Sequence, residues 1–243
     1  MKVVEYTAVL GSSGRDKGFA AALAAVLGEL GFTRDDAATG TPGLWPRDTS
    51  AATASGVLEV RHVTPERGAW ACVGTAPPLA RALATRVAAR VQKPVQVFTA
   101  TTRYDDRTLE CTIEDRLIQP DGRSAEGSLA RDIESSVGGR WKELCDGKSY
   151  ALTSALLHAA SEAWIAGPTE QRVEVWRTPP SLGDRRLDEL ASRVRVAVRA
   201  QLTAIDGRRC VRVTTADNAT TTSFLTDDEL AKIEAAVGGL LAR

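Results

Sequence analysis

Gly11-Ser12-Ser13-Gly14-Arg15-Asp16-Lys17-Gly18 lies between an apolar run ending at Leu10 and an amphipathic run beginning at Phe19. Its small residues leave backbone donors free, Ser12 and Ser13 add hydroxyls, and Arg15 or Lys17 adds positive charge. With a helix amino terminus following, these are the ingredients of a phosphate or other oxyanion site. The spacing is neither G-x-G-x-x-G nor G-x-x-x-x-G-K-[ST], the arrangements whose glycines have a worked-out phosphate mechanism. The competing reading is an ordinary Gly/Ser connection. The candidate ligand-binding residues are therefore Gly11, Ser12, Ser13, Gly14, Arg15 and Lys17.

Other chemistry has little material. His158 and Glu162 stand four apart on an expected helix, as ligands or as an exposed pair, but no H-E-x-x-H or second ligand cluster accompanies them. His62 shares its strand face with Leu58 and Val60, the setting of a half-buried structural histidine. No G-x-S-x-G elbow is present. Cys72, Cys111, Cys145 and Cys210 are widely spaced and read as buried reduced thiols. No catalytic residue, metal or cofactor is assigned.

Arg185, Arg186, Arg193, Arg195 and Arg199 decorate an amphipathic helix whose Asp184, Asp188 and Glu189 balance them, so a solvated face is expected. Leu44 and Trp45 are the candidate partner-binding residues. They sit in a long Thr-, Ala-, Gly- and Asp-rich loop, 33–56, where the tryptophan either pins the loop to the body or meets a partner.

The chain has 243 residues, 31 basic and 31 acidic, and 43% hydrophobic residues. That composition supports a real core, and zero formal charge removes the long-range field that draws proteins to nucleic acid or anionic lipid. Excess arginine and abundant alanine look like the codon bias of a GC-rich bacterial genome. Charge and hydroxyls interrupt the first residues and no apolar run is long enough to span a membrane, so a cytoplasmic protein without membrane or nucleic-acid partners is expected.

The elements that must position these residues carry an apparent repeat. Ile133-Glu134-Ser135-Ser136-Val137-Gly138-Gly139 returns as Ile233-Glu234-Ala235-Ala236-Val237-Gly238-Gly239. Upstream of each, a strand (69–73; 172–176), a proline break and an amphipathic helix are followed by two strands around Asp- or Asn-centred turns (95–103 and 108–118; 209–215 and 220–225). The expected fold class is α+β, with internally duplicated strand-helix-strand-strand-helix units, ferredoxin-like in element order, and a mostly antiparallel or mixed sheet. Its divisions are an amino-terminal strand-helix-loop-strand segment (1–68), a first repeat (69–140), a connecting helix (141–168) and a second repeat (169–243), which can pack as one pseudo-symmetric domain.

Val9-Leu10-Gly11-Ser12-Ser13-Gly14-Arg15 resembles the phosphate loop of flavodoxin-like flavin reductases, a resemblance confined to the strand-to-helix turn. It implies a nucleotide- or flavin-binding enzyme, the alternative function. Glu5 and Thr7, however, stand where a buried parallel strand is apolar throughout. The favoured function is a non-catalytic soluble protein-binding module of the immunity-, chaperone- or adaptor-type. Its partner is another protein, engaging loop 33–56 or an open sheet edge, and homo-oligomers are allowed.

Overall fold

The computed structural model describes residues 3–13, 18–36, 57–63, 68–73, 75, 77–104, 109–131, 171–177, 181–215 and 218–241. They form a mixed α+β molecule with two antiparallel sheets. The larger has eight strands: β1 (Val3–Ser13), β2 (Thr33–Arg34), β3 (Val57–Val63), β4 (Gly68–Val73), β5 (Val95–Tyr104), β6 (Leu109–Ile118), β7 (Ser124–Glu126) and β8 (Gln171–Arg177), in the order β2-β8-β3-β4-β1-β5-β6-β7. Two helices belong with it, α1 (Phe19–Glu29) and α2 (Pro77–Val91).

Period-two alternation divides the large sheet into two faces. Ala8, Leu10, Leu58, Val60, Ala71, Val73, Val95, Val97 and Ile118 form one core cluster with Phe19, Leu23, Val26, Leu27 and Leu30 around α1 and with Leu79, Leu83 and Val87 of α2. On the opposite face Val9, Phe98 and Ala100 are also fully buried. The helix expected over 19–30 forms as read, and Gly31 ends it at a φ of 83°. Phe32 N–H then donates to Leu27 O at 3.0 Å, a Schellman closure whose two side chains both enter the core. Pro77 opens α2, where its missing N–H costs nothing.

The smaller sheet, order β11-β10-β9, comprises β9 (Arg199–Ile205), β10 (Arg208–Thr214) and β11 (Thr220–Phe224). It follows α3 (Arg185–Val196) and precedes α4 (Asp227–Val237). Leu187, Leu190, Ala191 and Val194 of α3, Val211 and Val213 of β10, and Leu230, Ile233 and Val237 of α4 make a second core, while Leu240 packs against both cores.

This topology corrects the expected element order. The strand over 171–177 does not join the second unit; it pairs with β3 and β2 in the large sheet. Residues 181–241 instead run helix-strand-strand-strand-helix, with β9 an element the sequence reading did not contain. Neither the ferredoxin-like order nor internal duplication is confirmed. The second Ile-Glu-x-x-Val-Gly-Gly string forms α4 and its left-handed end at Gly238, where φ is 59°. The first string and the connecting helix lie outside the described residues.

A capping box opens α4: Thr226 Oγ1 accepts from Glu229 N–H at 3.3 Å, and Glu229 Oε2 accepts from Thr226 N–H at 2.9 Å. Thr226→Ala is expected to cost about 1 kcal/mol, read as a lower midpoint in urea unfolding. The Thr226 N–H bond holds the Glu229 carboxyl below its usual value, and the Leu182 N–H, with the Ser181 hydroxyl, does the same for Asp188. Both groups therefore bind protons less readily folded than unfolded. Their stabilisation is complete above the ordinary values of 4.5 and 3.8 and is lost as pH falls through the lower folded-state values. The urea midpoint is expected to decline as pH is taken below about 4.5; the same decline in a Glu229→Gln, Asp188→Asn protein would assign it to other groups.

Candidate functional site

The large sheet ends in strands of only two and three residues, β2 and β7. They cover only part of their neighbours: β7 pairs with residues 116–118 of β6 and β2 with residues 176–177 of β8, so the rest of β6 and β8 pairs on one side only among the described residues. In the small sheet the edges are whole strands. Its edge strands β9 and β11 have seven and five residues, and each pairs on one side only among the described residues.

The hydrogen bonds flanking β11 set which of its groups are free. Thr215 N–H donates to Ala219 O at 3.0 Å, and Leu225 N–H donates to Arg209 O at 3.3 Å. The intervening register is unbroken, from Thr214 opposite Thr220 to Cys210 opposite Phe224. Bonded and non-bonded pairs alternate along an antiparallel ladder. Thr221 and Ser223 therefore bond to β10, while Thr220, Thr222 and Phe224 turn their N–H and C=O groups toward the open edge.

A groove of about 240 Å³ runs beside that edge, lined by Arg186, Glu189, Leu190 and Arg193 of α3 and by Ser223 and Phe224 of β11. Arg186 pairs with Glu229 at 3.1 Å and Arg185 with Glu189 at 3.3 Å. Arg193 is exposed and has no ion pair with a described residue. The groove is thus a strand edge walled by a helix, with one apolar contact in Leu190 and an available guanidinium.

The sheet face turned away from α3 and α4 completes the site. It carries Arg199, Gln201, Thr203 and Ile205 from β9, Arg208, Cys210, Arg212 and Thr214 from β10, and Thr220, Thr222 and Phe224 from β11. Arg208 stacks over the Phe224 ring at 4.5 Å from its centroid, beside Cys210, which is a free and buried thiol. Phe224 and Ile205 remain 39% and 38% exposed at the two edges of that face.

Of the residues picked out in the sequence, Gly11, Ser12 and Ser13 are strand residues, because β1 runs to Ser13. Gly11 lies between Trp70 and Gln96 and Ser12 between Ala69 and Val95, so their backbone groups belong to the ladder. The Ser12 hydroxyl is buried without a partner. Gly14, Arg15 and Lys17 lie outside the described residues, as do Leu44, Trp45 and His158. Of loop 33–56, Thr33–Arg34 forms β2 and Asp35 pairs with Arg177 at 2.6 Å.

His62 is buried, with Nε2 3.2 Å from Glu174 Oε2 in a geometry that makes no directed hydrogen bond. Glu174 also accepts from Arg34 at 3.2 Å and from Trp176 Nε1 at 3.3 Å. That cluster sits on the core face of the large sheet and acts as a structural tie between β2, β3 and β8.

The solvated arginine face needs two corrections. Arg199 lies beyond the helix and opens β9. Arg195 is buried, and its Nη2 donates to Ala236 O at 3.1 Å, satisfying an end carbonyl of α4. Burial lowers its pKa, and the charge of Asp188 opposes that shift.

The residues that sequence reasoning missed are those of β9 and the face it completes. Their signal was Asp206-Gly207, whose φ values of 51° and 72° make the two-residue hairpin turn between β9 and β10.

Comparison with protein-family models, curated proteins and solved structures finds no match to this chain. No helix among the described residues is long and apolar enough to cross a membrane.

Proposed function

We propose that this protein is a non-catalytic binding module, of the immunity-, chaperone- or adaptor-type, that captures another protein by adding a strand of it to β11. The supporting observation is the groove beside the β11 edge. β11 pairs on one side only among the described residues, and its five-residue edge is walled by Arg186, Glu189, Leu190 and Arg193 of α3. An extended segment seated there gains backbone hydrogen bonds from Thr220, Thr222 and Phe224. Its alternate side chains enter the groove, the general arrangement of strand-addition recognition. The flavin- or nucleotide-binding alternative rests on a turn whose first three residues use their backbone in the ladder of β1.

The test is capture of binding peptides from a displayed random library by the wild-type protein, repeated with Thr222→Pro. Peptides that bind wild type and lose the Thr222→Pro protein support strand addition. Equal capture by both removes it. A concentration-dependent dimer that disappears in Thr222→Pro, seen by sedimentation without peptide capture, would make the occupant a second copy of this chain and overturn the reading of a different partner.

A further inference from the structure

Among the described residues, Arg199, Arg208 and Arg212 are the only charged ones on the outer face of the three-stranded sheet, and its strands supply no carboxylate there. Arg208 is engaged with Phe224. Arg199 and Arg212 are not: both are exposed, and neither side chain has a hydrogen bond or ion pair with a described residue. Arg199 stands opposite Thr214 and Arg212 opposite Gln201, which makes the two arginines diagonal neighbours on adjacent strands. Diagonal neighbours on one face are close enough for long side chains to meet.

Between them is a polar recess of about 220 Å³, lined by Arg199, Gln201, Arg212, Thr214 and Thr220. The Thr214 and Thr220 hydroxyls lie 3.1 Å apart; one donates to the other, so one hydroxyl proton remains for a further acceptor. Two guanidiniums, an amide and a hydroxyl, with no acid among them, form a donor-rich site for an oxyanion. The planar forks of arginine match a carboxylate.

We propose that this recess takes the carboxylate of an aspartate or glutamate on the partner segment that pairs with β11. The inference rests on the strand-addition reading. A strand added to β11 lies two inter-strand spacings from β10, about 10 Å. An extended glutamate and an extended arginine reaching toward each other across Thr220 and Thr222 cover that span. Because side chains alternate, the residues on either side of that acid enter the groove beside α3.

Library selection on the wild-type protein is expected to enrich extended peptides with an acidic residue at one fixed position. The selected acidic peptide and its Glu→Gln counterpart are then titrated against wild type, Thr222→Pro, Arg199→Gln and the Arg199→Gln, Arg212→Gln double variant. The double variant is expected to bind the acidic peptide about tenfold more weakly and its neutral counterpart with unchanged affinity, with Arg199→Gln alone giving part of the loss. An undiminished preference for the acidic peptide in the double variant would sink the carboxylate site while leaving strand addition standing, provided Thr222→Pro still abolishes binding. Equal binding by wild type and Thr222→Pro marks failure of the strand-addition reading itself. A phosphoserine peptide favoured more than tenfold over its glutamate equivalent would overturn the assignment of a carboxylate.

Discussion

Thr222→Pro is expected to weaken partner binding roughly thirtyfold, about 2 kcal/mol, while leaving the folded chain intact. Thr222 lies mid-strand in β11 opposite Arg212 and turns its N–H outward, so proline removes a donor that the ladder does not use. The partner loses that hydrogen bond, worth about 1 kcal/mol net, and meets the pyrrolidine ring where its own backbone would approach. Ser223→Pro is the contrasting case. Its N–H belongs to the β10 ladder, so the substitution breaks the hairpin and lowers stability by at least about 1 kcal/mol. A titration with a selected peptide, alongside circular dichroism and urea midpoints for both variants, separates the effects. If Ser223→Pro and Thr222→Pro lose binding only in proportion to lost structure, the open edge has no special role.

Glu174→Ala is expected to destabilise the protein by about 2–3 kcal/mol, the cost of leaving a buried indole N–H without its acceptor and removing a buried carboxylate that also meets Arg34. Glu174 is 4% exposed and accepts from Arg34 and from Trp176 Nε1, with His62 Nε2 3.2 Å away. Alanine strands a buried indole N–H, while Arg34, 45% exposed, keeps its ion pair with Asp36 at 2.8 Å. Because the carboxylate joins β2, β3 and β8, the loss falls on the edge of the large sheet and the segments it pairs. Glu174→Gln keeps an acceptor for the indole and is expected to cost less than alanine. Guanidinium unfolding of the three proteins checks the order; a midpoint for Glu174→Ala matching wild type would show that the cluster contributes nothing.

The helix 19–30, its end at Gly31, the proline-started helix at Pro77 and the capping box at Thr226 are all legible locally. Each depends on periodicity or on hydrogen bonds within a few residues, and such signals survive in one dimension. The buried arginine was not legible. Arg195 has the same sequence neighbourhood as its solvated neighbours, and only the approach of Ala236 at the end of α4 supplies its acceptor. The edge of the candidate site was half legible. Asp206-Gly207 carries the turn, but Ala197 and Val198 extend the apolar period of α3 in sequence, whereas the chain leaves the helix at Ala197 with a ψ of 141°. Reading the helix onward hid β9, and with it the face that joins Arg199 to Arg212.

By itself the sequence determined the α+β class, the positions of the amphipathic helices and their ends, and the neutral overall charge, because these follow from side-chain spacing and composition. Tertiary structure alone decided that the strand at 171–177 joins β3 across more than a hundred residues, that the last sixty residues form their own three-stranded sheet, and that an open edge and an acid-free arginine face meet there. Strand partnership is a long-range choice made by competing edges and packed faces. A strand's own residues show which face is buried, not which neighbour completes the sheet.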